Sequence, residues 1–254
     1  MMDRGYQHNF SRMVDGAMYD HSGREKKAQT LLAVLQDFSG INTRSLKLLD
    51  IGASTGIIDS YLADHLSQVI GIDIDQEAID FAQSSFKKNN LEFRIGDAMN
   101  LDFQDHEFDI VVCTHIYEHV PDADNLMQEI YRVLKPGGFC YFAAGNRLSI
   151  MEPHYKLPFL SILPRPIAHL YLKITQKGEH YHEKHLVLSN LKKLVSAFTI
   201  HDYTKKIINQ PERFSAEYML KPKTLKYTLA NFIVQYAYWL CPSYIWILVK
   251  PCIY

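Results

Sequence analysis

Apolar positions change their period repeatedly between residues 24 and 144. From Arg24, Ala28, Leu31, Leu32, Leu35 and Phe38 recur at helical spacing, and Ser39 and Gly40 end the run. Residues 46–51 are a short apolar run that predicts a buried strand, and residues 57–66 predict a helix. Residues 68–74 predict a second strand with an acid near its end. Residues 76–88 predict a helix with Ala78, Ile79, Ala82 and Phe86 inward, and residues 91–95 a short strand. Residues 108–114, FDIVVCT, are almost continuously apolar, as a central parallel strand covered on both faces should be. Residues 122–134 predict a helix with Leu126, Ile130, Val133 and Leu134 on one stripe. Lys135-Pro136-Gly137-Gly138 stops it, and residues 139–144 predict the next strand. This alternation argues for a parallel sheet with right-handed crossovers, an α/β doubly wound fold.

The flanks read differently. Residues 1–23 are polar and aromatic without a period and predict a mobile N-terminal arm, leaving residues 24–254 as one domain. Residues 146–185, rich in His, Tyr and Pro, read as a substrate-side insertion, helical around residues 166–174. Residues 189–198 predict a helix, 199–203 a strand, 222–240 an apolar helix and 244–249 the last strand.

Composition narrows the partners. The chain has 254 residues and a formal net charge of −1, with its Lys pairs scattered, so nothing draws it to nucleic acid. Its four cysteines show no CxxC spacing, and Cys113 and Cys140 lie in apolar runs. That usage suits free thiols in a reducing, cytoplasmic compartment. The N-terminal residues lack a secretory apolar stretch. The apolar tail is interrupted by Lys226, Asn231, Gln235 and Pro242, against a transmembrane span.

Residues 48–59, LLDIGASTGIID, carry the chemistry: a strand, a turn of small residues and a helix start with unpaired N–H groups. The glycine spacing is G-x-x-x-G rather than the G-x-G-x-x-G that cradles a pyrophosphate. Asp50-Ile51-Gly52-Ala53-Ser54-Thr55-Gly56, Gly71-Ile72-Asp73-Ile74-Asp75, Gly96-Asp97-Ala98 and Leu134-Lys135-Pro136-Gly137-Gly138 stand in one order. Together they resemble the motifs of class I S-adenosylmethionine-dependent methyltransferases, of the type 11-like bacterial small-molecule branch. Ser54 stands where that family often has Gly.

The resemblance implies a Rossmann-like methyltransferase fold. Its seven-stranded sheet would be mostly parallel with an antiparallel last strand, and a helical insertion would follow strand 5. It also implies S-adenosyl-L-methionine as cofactor. Asp73 would take the ribose hydroxyls, Asp97 and Ala98 the adenine, and Ile74 would lie against the ring. Asp50 would favour the cationic methionine end. Gly52, Ala53, Ser54, Gly56 and Thr114 would complete the cofactor site, and Tyr19 of the arm would close over it.

The acceptor side begins after residue 114, with His115-Ile116-Tyr117-Glu118-His119. The nucleic-acid amino-methylating branch has Asn/Asp-Pro-Pro-aromatic here, so that branch does not fit. His115 is the first candidate base, since histidine works near neutral pH. His154 and Tyr155 of the insertion are second. A metal is not expected. The alternative is a site at His115, Glu118 and His119, which resembles the Glu-x-x-Glu-His pattern of metal-dependent relatives. The acceptor is expected to be a small molecule, methylated at oxygen: a sugar, a lipid-linked compound or another metabolite. Methylation of nitrogen, carbon or protein, or a non-catalytic cofactor-binding role, are the rivals. The apolar insertion and tail either bury each other or receive a lipid-like acceptor and touch a membrane. Glu152-Pro153-His154-Tyr155 with Leu157-Pro158 also looks like bacterial methyltransferases of cell-surface sugar and lipid pathways.

Overall fold

A computed structural model describes residues 5–13, 15–40 and 42–252. Five parallel strands form most of its sheet: β1 (Lys47–Ile51), β2 (Gln68–Asp73), β3 (Leu91–Ile95), β4 (Phe108–Thr114) and β5 (Leu134–Gly145). Two more close one edge, β6 (Thr199–Asp202) and β7 (Ser243–Val249). The order is β3-β2-β1-β4-β5-β7-β6, with β7 antiparallel to both neighbours. The expected doubly wound, seven-stranded sheet is present. Strand order reverses between β1 and β4, and the carboxyl ends there are level, Ile51 beside Ile72 and Cys113. Such a reversal opens a crevice in which α/β sheets bind ligands.

Alternation along the strands builds both faces. Leu49, Ile51, Val111 and Cys113 pack on one side, against Leu126 and Ile130 of the helix Ala123–Val133. Leu48, Ile110 and Val112 pack on the other, against Leu31 and Leu35 of the helix His21–Ser39. Three cysteines, Cys113, Cys140 and Cys241, are buried and free.

The differences from expectation lie in turns and flanks. Residues 135–138 bulge out of β5, so that Leu134 pairs with Phe108 and Phe139 with Ile110. Asp202 ends β6 early because its side chain caps a further helix, Tyr203–Asn209. Thr224 caps the helix Leu225–Tyr236, which therefore starts after Pro222 and stops before the turn Tyr238–Leu240. In the arm, residues 1–4 and 14 lie outside the described residues. Short helical turns follow, Gly5–Asn9, Phe10–Met13 and Asp15–Met18, and residues 21–23 already belong to the helix His21–Ser39, which starts before Arg24 because Asp20 caps it. Ser11 N–H donates to Asp75 Oδ2 (2.7 Å) and Thr55 Oγ1 to the Met18 carbonyl (2.6 Å). The arm thus docks at the carboxyl edge of the sheet.

The insertion forms the short ladder of Met151–Glu152 with Leu157–Pro158, then the helix Arg165–Ile174. It has its own apolar cluster of Leu157, Leu160, Ala168, Leu172 and Tyr181. The helix Leu225–Tyr236 packs instead on Tyr203–Asn209. Among the described residues no helix is long and apolar enough to cross a membrane.

Candidate active site

At the end of β1 the chain turns under β2: the N–H groups of Gly52 and Ala53 both reach the Ile72 carbonyl (2.8 and 3.0 Å). Gly52 has φ of 89°, and a Cβ there would stand 2.2 Å from the Ile116 side chain, so the turn touches the loop after β4. Ser54 takes φ of 54°, a left-handed conformation that disfavours side chains and explains why glycine suits this position in the family it resembles. Its N–H donates to Asp73 Oδ2 (2.8 Å) and its hydroxyl accepts from Arg24 (3.2 Å). Gly56 and Ala53 serve packing. A Cβ on Gly56 would meet Phe93 at 2.5 Å, and Ala53 is buried against Ile79, Ala82 and Phe93.

Gly52, Ser54, Asp73, Ile74, Asp97, Ala98 and Thr114 line one end of a cavity of about 1330 Å³. Asp73 Oδ1 accepts the Asp75 N–H (3.0 Å), and Asp97 Oδ1 the Met99 N–H (2.9 Å). Burial pushes the Asp73 carboxyl above its usual range, against the pull of these backbone donors.

Asp50 is not at the cavity surface. It lies buried beneath the turn beside Asp59, whose two carboxylate oxygens have no hydrogen-bond partner. Burial raises both carboxyls, Asp59 to about 7, so the pair holds a proton near neutrality. Arg24, which lines the cavity, is the cation facing this acidic floor. Tyr19 does not line the cavity either. Its ring packs edge-on against Phe81 at 5.0 Å, and the arm contributes Gln7, Phe10 and Met18 to the wall instead.

His115 also lines the cavity, with φ of 58° and a half-exposed side chain. Its Nδ1 is 3.2 Å from Oε1 of Glu118, a fully buried carboxylate. Burial opposes that charge, but the His115 bond and the surrounding histidines outweigh it and hold the Glu118 carboxyl at about 2. His119 and His154 also line the cavity, their rings perpendicular at 4.9 Å. Burial pushes the His119 imidazole down to about 4. Tyr155 is not brought to the cavity. Its N–H caps Glu152, and its ring lies against Tyr181 inside the insertion.

His115, Glu118 and His119 do not converge as a ligand set. Among the described residues, the donors that do are Glu152, His154 and His185, all within 4.8 Å of one another. Sequence reading missed Glu152 and His185 because only the fold joins residues 33 positions apart. It also missed Arg24 and Asp59, whose roles depend on what lies above and below the turn.

The cavity also has an apolar limb: Ile207, Ile208, Met219, Leu229, Ile233 and Ile245 line it, and Tyr141 and Ala143 of β5 line the same cavity.

Residues 49–142 match the model of a methyltransferase domain. A ubiquinone biosynthesis O-methyltransferase of Hydrogenovibrio crunogenus is 27% identical over 190 residues, covering 72% of this chain and 74% of that protein. A demethylmenaquinone methyltransferase of Lactobacillus johnsonii is 41% identical over 97 residues, 35% of this chain and 40% of that protein. Of solved structures, the Haemonchus contortus phosphoethanolamine N-methyltransferase 2 in complex with S-adenosyl-L-methionine superposes with a TM-score of 0.54 at 20% identity. That match covers 95% of this chain and 60% of that one. The [4+2]-cyclase SpnF gives 0.52 at 20% identity, over 87% and 82%. These structures share the fold. The domain match ends at residue 142, before the insertion and tail that complete the cavity.

Proposed function

We propose that this chain, a class I S-adenosylmethionine-dependent methyltransferase, methylates a hydroxyl oxygen on a small, largely apolar, lipid-like acceptor. One observation carries the reading: a single cavity is lined by the acid-bearing turn, by His115 and by an apolar limb. The residues present fit the cofactor. Asp73 offers a carboxylate for ribose hydroxyls, and Asp97 and Ala98 an edge for adenine. Bound there, S-adenosylmethionine supplies a methyl group activated on a sulfonium.

The protein's part is to bind, orient and deprotonate. Glu118 holds Nδ1 of His115, which leaves Nε2 to accept the acceptor's proton. The apolar limb holds the acceptor's hydrocarbon part. The exposed stripe of Leu225, Phe232 and Tyr236 lies on the helix that lines this limb, and it would rest on a membrane that supplies such a compound. The relatives named for ubiquinone and menaquinone pathways support an acceptor of this class. The buried free thiols support a reducing, cytoplasmic setting.

Calorimetry with S-adenosylmethionine, followed by assay of S-adenosylhomocysteine release with phenols bearing and lacking an apolar tail, tests this. Asp73→Ala is expected to abolish cofactor binding. His115→Ala should keep binding and slow turnover by about 10²–10⁴-fold. Turnover unchanged in His115→Ala, or no preference for the tailed phenol, would remove the corresponding part of the reading.

A further inference from the structure

The sequence places Glu152, His154 and His185 on two limbs of the insertion, and the fold closes them on one another. His154 Nδ1 is 2.7 Å and His185 Nε2 3.5 Å from the same oxygen, Oε1 of Glu152. The other oxygen, Oε2, accepts the Tyr155 N–H at 2.8 Å, which fixes the carboxylate's orientation. Glu152 is fully buried and His185 nearly so, while His154 reaches the cavity wall beside Pro153.

We propose that Glu152, His154 and His185 form a binding site for a divalent transition-metal ion, open on its cavity side to an oxygen of the acceptor. Two imidazoles and a carboxylate are a donor set suited to zinc and neighbouring divalent ions, and three protein ligands leave a position for water or substrate. Donors around such an ion stand about 3.3 Å apart, given bonds near 2.0–2.1 Å in a tetrahedron. The three donors here already lie within 4.8 Å of one another, so small side-chain adjustments would complete the shell.

Two further features point the same way. Nδ1 of His185 is buried without a hydrogen-bond partner, as is Oε2 of Glu118. Gly145 keeps these groups close. The point where its Cβ would stand is 3.3 Å from His185 Nδ1 and 3.5 Å from Glu118 Oε1. A carboxylate behind a metal-bound imidazole is the usual outer partner of such a ligand, and Glu118 stands with His185 around Gly145. On the open side, the His119 ring stands 4.9 Å from that of His154, and Phe10 of the arm covers both at 5.2 and 6.4 Å. The ion would sit between the insertion and the cavity, where it could hold a hydroxyl or carbonyl oxygen of the acceptor. That last role rests on the hydroxyl-methylation reading; the metal site itself does not.

The test uses full-length protein stripped with chelator and dialysed. Titration with Co²⁺, read by its visible absorption, and with Zn²⁺, read by calorimetry, should each show one equivalent bound. His154→Ala and His185→Ala should each weaken binding by at least about 100-fold and lose the Co²⁺ spectrum. Because buried His185 contributes to packing, His154→Ala is the decisive variant, with unchanged S-adenosylmethionine binding as the control for folding. Absence of stoichiometric binding, equal binding by wild type and His154→Ala, or loss only on His115→Ala and His119→Ala would overturn the site. Intact binding with turnover indifferent to chelation would overturn the acceptor role while leaving the methyltransferase reading in place.

Discussion

Single residues set the proton inventory of the site. Asp50 and Asp59 share a dry space under the turn, where burial leaves neither charge solvated. The folded state therefore keeps protons on both carboxyls that the unfolded chain releases near pH 3.8, Asp59 giving up its own only around 7 and Asp50 above its usual range. Between those values the folded form binds more protons, so this pair makes stability fall as pH rises from about 4 to 7. Asp59→Asn is expected to flatten that decline, measured as Tm against pH. Glu118 and Glu152 act in the opposite sense. Burial resists their charge, but their histidine partners hold both near 2, below the usual 4.5. Their stabilisation is present above about 4.5 and is lost as pH falls towards 2. Glu118→Gln should lower kcat with little change in cofactor affinity. It should also alter the pH profile of kcat, because His115 loses the carboxylate that orients it.

Elements are joined by a few buried polar groups that no periodicity reveals. Lys250, just after β7, is almost fully buried, and its Nζ donates to the carbonyls of Tyr131 and Leu134 (2.7 and 2.8 Å). A cation there satisfies orphan carbonyls at the C-terminus of the helix Ala123–Val133 and complements its dipole. Lys250→Met should cost about 2 kcal/mol in denaturant unfolding, since it takes the ammonium donor from the Tyr131 carbonyl and leaves the Leu134 carbonyl only its contact with His106 Nδ1 (3.1 Å). Asn146, just after β5, acts in the same way at the opposite end of that strand. Its side-chain amide donates to the carbonyls of Trp239 and Cys241, both at 2.8 Å, and so ties the tail to the central strands.

At the scale of the whole molecule, one cavity draws on every part of the chain. The arm gives Phe10 and Met18, the sheet edge Asp73 and Asp97, the insertion His154, and the tail Leu229 and Ile233. The helix Leu225–Tyr236 faces this cavity on one side, yet Leu225 is 85% exposed and Tyr236 68%. A helix apolar on two faces needs something to cover the second. Replacing Leu225 and Phe232 with Asp should reduce co-sedimentation with phospholipid vesicles several-fold while leaving S-adenosylmethionine affinity unchanged. Unaltered sedimentation would remove the membrane from the proposed function.

The strands and helices of residues 46–144 were legible because each apolar run has one dominant period, and a strand covered on both faces can hardly be anything else. Gly52, Asp73 and Asp97, expected on the cofactor side, do line the cavity, for a related reason: a sheet edge fixes local turns, and local turns leave a local signature. The expectation for Asp50 differed from its place because burial depth is not a sequence property; a carboxylate next to a glycine turn reads the same above or below it. Tyr155 and Tyr19 are aromatic residues near the site whose directions depend on which neighbour, Tyr181 or Phe81, fills the adjacent space. The sequence alone determined the order of the elements and the edge of the sheet at which the small-residue turn lies. Only the tertiary structure decided which side chains meet at the cavity. His115 and His154 line it and His185 lies buried behind His154; the three come from separate segments, and contacts across such distances are set by packing rather than by spacing along the chain.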